Sequence, residues 1–153
     1  MIIWRFCRQE HAAPPLDGEG ARLYGCRCNV PETAVAYTAG TLALAALEIV
    51  VHMDLNVAPK DLVSIPIGVP DGLRIEEIHT ESRPTNWRKT PAPVPLQQLG
   101  AEWCQRTTSL LLRVPSVIIP EEYKYLVNPI HPDLSQLTMH KPRPFTFDPR
   151  VFR

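Results

Sequence analysis

The apolar residues of this chain fall into short runs that prolines and glycines separate. Apolar positions that recur every three to four residues predict helices, and runs of β-branched or alternating residues predict strands. The pattern therefore predicts helices at 42–54 and 96–106, with Thr41 as the N-cap of the first helix. It predicts strands at 4–7, 34–38, 62–67, 74–79, 109–114, 117–119 and 145–147.

Proline is the outlier of the composition, with 17 in 153 residues against a usual share of ~5%. Because proline lacks a backbone N–H, it is expected to mark the places where helices and strands end. Residues 14–33 are predicted to be loop, residues 84–95 an extended surface segment, and residues 125–153 mostly loop. Strands outnumber helices without regular alternation, which predicts one compact domain, 1–153, of the mixed α/β (α+β) class.

Charge and cysteine content exclude several classes of protein. Lys plus Arg and Asp plus Glu both number 16, so no net charge attracts nucleic acid. No apolar run reaches the ~20 residues that span a bilayer, and the first residues do not form a signal peptide. We therefore expect a cytoplasmic protein with reduced cysteines that binds neither membrane nor nucleic acid directly. The Cys26-x-Cys28 pair has no second pair beside it, so no metal site is expected.

Glu48 is the most informative charged residue, because it lies in the apolar helix predicted at 42–54. The positions three and four residues away are occupied by Leu44, Ala45, Val51 and His52. A helix that is apolar on nearly every side is normally buried, so Glu48 is predicted to point into a core or a cleft. A carboxylate there needs a partner, or its pKa rises. Either a structural ion pair with an Arg or His, such as His52, or a cationic ligand beside Glu48 satisfies this requirement.

Three further candidates lie in predicted loops or at strand ends. Arg27 carries a guanidinium fork that matches phosphate geometry, although many loop arginines are only solvated. Ser116 follows a proline break but lies in no Gly-x-Ser-x-Gly elbow, so it is predicted to form hydrogen bonds rather than act as a nucleophile. Its hydroxyl can equally bond to its own turn. Asn128 can bind a ligand amide or form part of a rigid turn.

Together and in this order, these residues resemble the RES family, which is named for an Arg, a Glu and a Ser and supplies toxins of bacterial toxin–antitoxin pairs. The likeness runs from about Trp4 to Arg150. The matching stretches are 18–25 with Arg27 and Asn29, then 35–38, 42–48, Trp103, 112–116, 128–129 and 131–133. The resemblance implies a fold similar to the NAD-cleaving core of ADP-ribosylating toxins. It also implies a pocket lined by Arg27, Tyr37, Glu48, Ser116 and Asn128.

The implied activity is cleavage of the nicotinamide–ribose bond, with NAD as substrate, inorganic phosphate as co-substrate and no prosthetic group. Glu48 would stabilise the developing ribosyl cation, and Arg27 would bind the diphosphate or the incoming phosphate. Tyr37 would pack against nicotinamide or ribose, and Ser116 and Asn128 would orient polar groups. The implied partner is a helix-turn-helix antitoxin of the Xre type, which would cover the active site in a heteromeric assembly.

One departure from the family pattern concerns Arg27. The family usually shows Gly-Gly-Arg-Trp-Asn, whereas this chain has Cys26 and Cys28 on either side of the arginine. The missing Trp removes a packing body, so we expect Arg27 to be loosely oriented. Two other functions remain open: an ADP-ribosyltransferase that modifies a macromolecule, and a catalytically weakened binding module that uses 84–95 and the basic tail as contact surfaces.

Overall fold

An eight-stranded sheet organises the residues that the computed structural model describes, namely 1–54, 57 and 59–152. The strands are β1 (Ile2–Arg8), β2 (Ala36–Ala39), β3 (Leu62–Gly68), β4 (Ile75–Glu77), β5 (Leu111–Pro115), β6 (Tyr123–Val127), β7 (Thr138–Met139) and β8 (Arg143–Phe145). The helices are α1 (Glu19–Tyr24), α2 (Leu42–Val50) and α3 (Val94–Arg106). The mixed α/β class with more strand than helix is therefore confirmed.

The strands follow the order β4-β5-β6-β2-β1-β3-β7, and β8 also pairs with β3. Only β4 and β5 run parallel among the described pairs; the others are antiparallel. The register places Tyr37 opposite Leu126, and Lys124 opposite both Ala39 and Val114. Because opposed residues project from the same side of a sheet, the side chains of Tyr37, Lys124 and Val114 share one face.

Both longer helices pack on the face that carries Tyr37. The buried side of α2 packs against β1, β2 and β3 through a cluster made of Leu44, Ala45, Ala46, Phe6, Ala39 and Leu62. The buried side of α3 meets the other half of the sheet through Leu96, Trp103, Cys104, Leu112, Val114 and Leu126. The opposite face is covered by loops, which bury residues such as Ile3, Ile65 and Leu111. The shared face therefore has a gap between α2 and α3.

The helix predictions hold with shifted ends. The N-cap prediction is confirmed, because Thr41 Oγ1 accepts a hydrogen bond from the Leu44 N–H over 3.1 Å. The helix α2 ends at Val50, four residues earlier than predicted. The helix α3 begins at Val94, two residues earlier than predicted, with Pro95 in its first turn. Proline is tolerated there because the first N–H groups of a helix have no intrahelical acceptor.

Several strand and loop predictions are wrong. Residues 117–119 lie in a turn, and the antiparallel partner of β5 is β6, which we expected to fall mostly in loop. Residues 14–33 contain the short helix α1, whose two ends are set by glycines with left-handed backbones. Pro66 lies within β3 opposite Trp4, so proline does not end that strand. On one side, β3 pairs first with β8 and then with β7. Pro66 lies between these two pairings, where a missing N–H is tolerated.

Candidate active site

Glu48 projects from α2 towards the gap between the helices, where both of its carboxylate oxygens are held. Ser116 Oγ donates a hydrogen bond to Glu48 Oε1, and Lys124 Nζ donates one to Glu48 Oε2, each over 2.9 Å. The side chains of Glu48 and Lys124 are 17% and 20% exposed. The predicted cleft position of Glu48 is therefore observed, and its cationic partner is Lys124, whereas His52 is exposed on the surface.

Lys124 is a site residue that the sequence reasoning missed. It comes from the middle of the sheet, and its Nζ lies 5.1 Å from the centre of the Tyr37 ring. An ammonium over an aromatic face gains a favourable cation–π interaction. The alternation Tyr-Lys-Tyr-Leu-Val in β6 is the signal that would have found it, because it predicts a strand with Lys124 and Leu126 on one face.

Ser116 lies immediately after β5 and is fully buried. Its Oγ accepts hydrogen bonds from the Ile118 and Ile119 N–H groups over 3.0 and 3.2 Å, while it donates to Glu48. The two predicted roles, a turn hydroxyl and a site hydroxyl, are thus combined in one side chain. Because no part of Ser116 is exposed, its hydroxyl serves in this structure to position the Glu48 carboxylate.

The hydroxyl group of Tyr37 is held by a buried network of hydrogen bonds. Its hydroxyl donates to Asn29 Oδ1 over 2.7 Å and accepts from the Cys28 N–H over 3.1 Å. The Asn29 amide in turn donates to the carbonyls of Ala21, Val30 and Thr33. Burial raises the pKa of Tyr37 well above its usual value. Tyr37 is therefore a neutral, oriented ring beside Glu48.

Arg27 is held by three acceptors in the proline-rich segment 84–95. One terminal nitrogen donates to the carbonyls of Trp87 and Lys89, over 3.1 and 2.7 Å, and the other to Thr90 Oγ1 over 3.1 Å. The expectation of a loosely oriented Arg27 is therefore wrong, because backbone carbonyls replace the missing Trp as its support. The same bonds anchor the segment 84–95, which we expected to be only an extended surface.

These side chains enclose one continuous cleft. Its first part is lined by Arg27, Cys28, Tyr37, Glu48, Val114, Pro115, Val117 and Lys124. An adjoining recess is lined by Arg27, Cys28, Ile78, Arg83, Trp87, Leu96, Val114 and Pro115. The Arg83 guanidinium lies 4.7 Å from the centre of the Trp87 ring. The cleft thus joins a charged end at Glu48 to an aromatic end at Trp87, with Arg27 common to both.

Neither Asn128 nor the fully buried Ser116 is among the residues that line this cleft, so the implied five-residue pocket needs a correction. Asn128 follows the far end of β6, four positions after Lys124, and is almost completely buried. Its amide nitrogen donates to the Cys104 carbonyl over 3.1 Å, and its Oδ1 accepts from the Ile130 N–H over 3.2 Å. These bonds connect the turn after β6 to α3. Asn128 therefore has the second of its two predicted roles, as part of a rigid turn.

The thiol of Cys28 lines the cleft but adds little to its chemistry. Burial raises the pKa of the Cys28 thiol to about 11, so this thiol is protonated and weakly nucleophilic at neutral pH.

Among the residues that the structure describes, no three His, Cys, Asp or Glu side chains are grouped as metal ligands. Within the same residues, no helix is both long and apolar enough to cross a bilayer.

Comparison of the sequence with known proteins identifies the family of this chain. The profile of the RES domain matches residues 2–148. The Prs ADP-ribosylating toxin of Sphingobium sp. (strain YBL2) is 38% identical over 155 residues, which cover 99% of this chain and 96% of that protein. Toxin Res of Yersinia enterocolitica is 34% identical over 152 residues, 99% of each chain.

One solved structure has a similar fold. The match is to the crystal structure of the M. tuberculosis MbcT–MbcA toxin–antitoxin complex, with a TM-score of 0.75 and 18% sequence identity. It covers 99% of this chain and 86% of the matched chain. At this identity the likeness concerns the fold alone, and it supports the mixed α/β domain described above.

Proposed function

This chain belongs to the RES domain family, and from that premise we propose that it is the toxin of a bacterial toxin–antitoxin pair that destroys NAD by cleaving its nicotinamide–ribose bond. The observation that carries the proposal is the carboxylate of Glu48, held at both oxygens and facing a cleft beside the ring of Tyr37. A fixed carboxylate in such a place is suited to stabilise positive charge that develops on a ribosyl carbon.

Cleavage of the nicotinamide–ribose bond needs little from the protein beyond the negative charge of Glu48. Nicotinamide is cationic in NAD, and it leaves as a neutral molecule when the electron pair of the C–N bond passes to its ring nitrogen. No proton donor is needed for that departure, and the ribose becomes oxocarbenium-like. The carboxylate of Glu48 faces this centre, while Ser116 and Lys124 keep it from rotating away. Preorganisation of this kind requires no rearrangement during the reaction.

The remaining cleft residues suit the other parts of NAD. The ring of Tyr37 offers a flat surface to nicotinamide or ribose. Arg27 uses three of its five N–H donors on the segment 84–95 and keeps two for the diphosphate. The aromatic end at Trp87 and Arg83 lies beyond Arg27, where the adenosine half would extend.

We propose inorganic phosphate as the acceptor and nicotinamide and ADP-ribose 1″-phosphate as the products. We further propose that a helix-turn-helix antitoxin of the Xre type binds this protein and covers the cleft. The relatives named Toxin Res and the toxin–antitoxin complex with a similar fold support an antitoxin partner. Expression of this protein alone should arrest growth, and co-expression with an antitoxin that binds it should restore growth.

A second candidate is transfer of ADP-ribose to a macromolecule. It is favoured by the name of the Sphingobium relative, which is an ADP-ribosylating toxin. The bond that breaks is the same in both cases, and only the acceptor differs. The third candidate, a weakened binding module, was based on a loosely oriented Arg27. It loses this support because Arg27 is firmly held.

Product analysis of purified protein with NAD separates these candidates. NAD labelled in its adenosine half is incubated with and without phosphate, and the products are resolved by chromatography. Label in ADP-ribose 1″-phosphate supports phosphorolysis, label in ADP-ribose supports hydrolysis, and label on added cell protein or nucleic acid supports transfer. NAD that stays intact in the presence of phosphate and cell extract would refute the proposed function.

A further inference from the structure

We propose that the Lys124 ammonium, anchored on Glu48, is the binding site of the phosphate acceptor and couples the binding of phosphate to that of NAD. This inference rests on the phosphorolysis proposed above and assigns a residue to it. Lys124 lies beside the place where an acceptor would react, because it lines the same cleft as Glu48 and Tyr37.

The geometry leaves Lys124 with donors to spare. Its ammonium carries three N–H groups, and Glu48 Oε2 takes one of them over 2.9 Å. The position of Nζ, 5.1 Å from the centre of the Tyr37 ring, keeps it beside the place assigned to the ribosyl centre. An oxyanion bound to the remaining donors would sit next to the carboxylate without displacing it.

The charges of the cleft explain why the acceptor should be an anion. Glu48 and Lys124 neutralise each other, the Cys28 thiol and the Tyr37 hydroxyl are protonated, and Arg27 and Arg83 each add one positive charge. The diphosphate of NAD would pair with these arginines, and the cationic nicotinamide ring would bring a positive charge to the end where Glu48 is already paired. A phosphate dianion on Lys124 offsets this charge, so each substrate improves the site for the other. Water brings no charge and can only accept a hydrogen bond from Lys124, so it gains less there than phosphate does.

The reaction step balances without any further reactant. The C1″–N bond of the ribose breaks and its electron pair stays on nicotinamide. A lone pair of a phosphate oxygen forms the new C1″–O bond. The proton of hydrogen phosphate stays on the phosphoryl group while the C1″–O bond forms and is released to solvent afterwards. Lys124 moves no proton in this step; it holds the acceptor and determines whether phosphate or water captures the ribosyl centre.

The test compares Lys124→Met, which keeps an unbranched side chain but removes the ammonium group, with Lys141→Met, at an exposed lysine. Two quantities are measured: the KM for phosphate, and the ratio of ADP-ribose 1″-phosphate to ADP-ribose among the products. Loss of a charge-assisted hydrogen bond should raise the phosphate KM of Lys124→Met about 10- to 100-fold and shift the products towards ADP-ribose. Lys141→Met should match the wild type in both.

Additional measurements keep the inference open to refutation. If Lys124→Met does not fold, Lys124→Gln takes its place. A separate measurement uses the wild type, in which added phosphate should lower the KM for NAD. An unchanged phosphate KM and product ratio in a folded Lys124 variant would overturn the inference and leave phosphorolysis standing. Wild type that yields ADP-ribose at every phosphate concentration would overturn it as well. Wild type that leaves NAD intact would instead refute the proposed function.

Discussion

Ser116 and Glu48 are 68 positions apart in the chain, yet the Ser116 hydroxyl donates to the Glu48 carboxylate over 2.9 Å. The serine is itself held by two backbone N–H groups of the turn that follows β5. The carboxylate on α2 is therefore aligned by the sheet rather than by its own helix. A side chain fixed from a second element keeps its direction when a ligand arrives.

Replacing Ser116 by Ala should impair both stability and catalysis. The variant leaves two N–H groups without their acceptor and frees one oxygen of Glu48. We expect a loss of about 1–3 kcal/mol in the free energy of unfolding and a fall in NAD cleavage of about tenfold or more. Chemical denaturation and nicotinamide release measure the two effects.

Ser109→Ala is the matched control for that prediction. Ser109 is also buried, accepts from Trp103 Nε1 and donates to the Leu111 carbonyl, but it lies outside the cleft. It should lose comparable stability and keep its activity once folded. Equal losses of activity in the two serine variants would argue against a positioning role for Ser116.

Arg27→Gln should release the segment 84–95 as well as weaken substrate binding. Glutamine cannot reach the three acceptors that Arg27 bonds. We expect faster proteolysis within 84–93 and a KM for NAD raised about 10- to 100-fold. Arg88→Gln, which removes a single bond to Val117, should leave both quantities near the wild type. An Arg27 variant with unchanged protease resistance would show that the anchor is dispensable.

Gly100 makes the packing of α3 against the Arg27 loop unusually close. A Cβ at this position would lie 1.7 Å from the carbonyl oxygen of Cys28. Gly100→Ala should therefore destabilise the protein by about 3 kcal/mol or more, since backbone has to move. Gly20→Ala in α1 meets nothing within 4 Å and should stabilise by about 0.5–1 kcal/mol. Thermal unfolding of the pair checks both signs, and a harmless Gly100→Ala would contradict the described contact.

The Cys28 thiol predicts a loss of stability at alkaline pH. Burial raises its pKa from 9.0 to about 11, so the folded state holds this proton more tightly than the unfolded chain. Its contribution is constant below pH 9.0 and is lost as the pH rises to about 11. The wild type should lose about 2–3 kcal/mol relative to Cys28→Ala across this interval. Parallel stability curves for the two proteins would contradict the burial of the thiol.

Local signals made part of this molecule predictable. Thr41 before an apolar run is a strong helix start, and the apolar neighbours of Glu48 correctly place it in a cleft. The strands β1 and β3 were also evident, because both are rich in apolar residues. Each of these features depends on residues within about one or two turns of one another.

The remainder depends on contacts between distant parts of the chain. Lys124 meets Glu48 across 76 positions, and only the pairing of β6 with β2 and β5 brings them together. The support of Arg27 consists mainly of carbonyl oxygens, which every residue possesses and which leave no mark in the sequence. Asn128 had the right residue type for a ligand contact, but its strand ends on the far side from Lys124.

The most direct test of the central claim is the rate of nicotinamide release by Glu48→Gln. Glutamine keeps the size of the side chain and removes the charge that the proposed mechanism places beside the ribosyl centre. With phosphate present, we expect a fall of about 100-fold or more in a variant that remains folded. Glu121→Gln, on the exposed turn before β6, should release nicotinamide at the wild-type rate. A folded Glu48→Gln within a few-fold of the wild type would contradict the account.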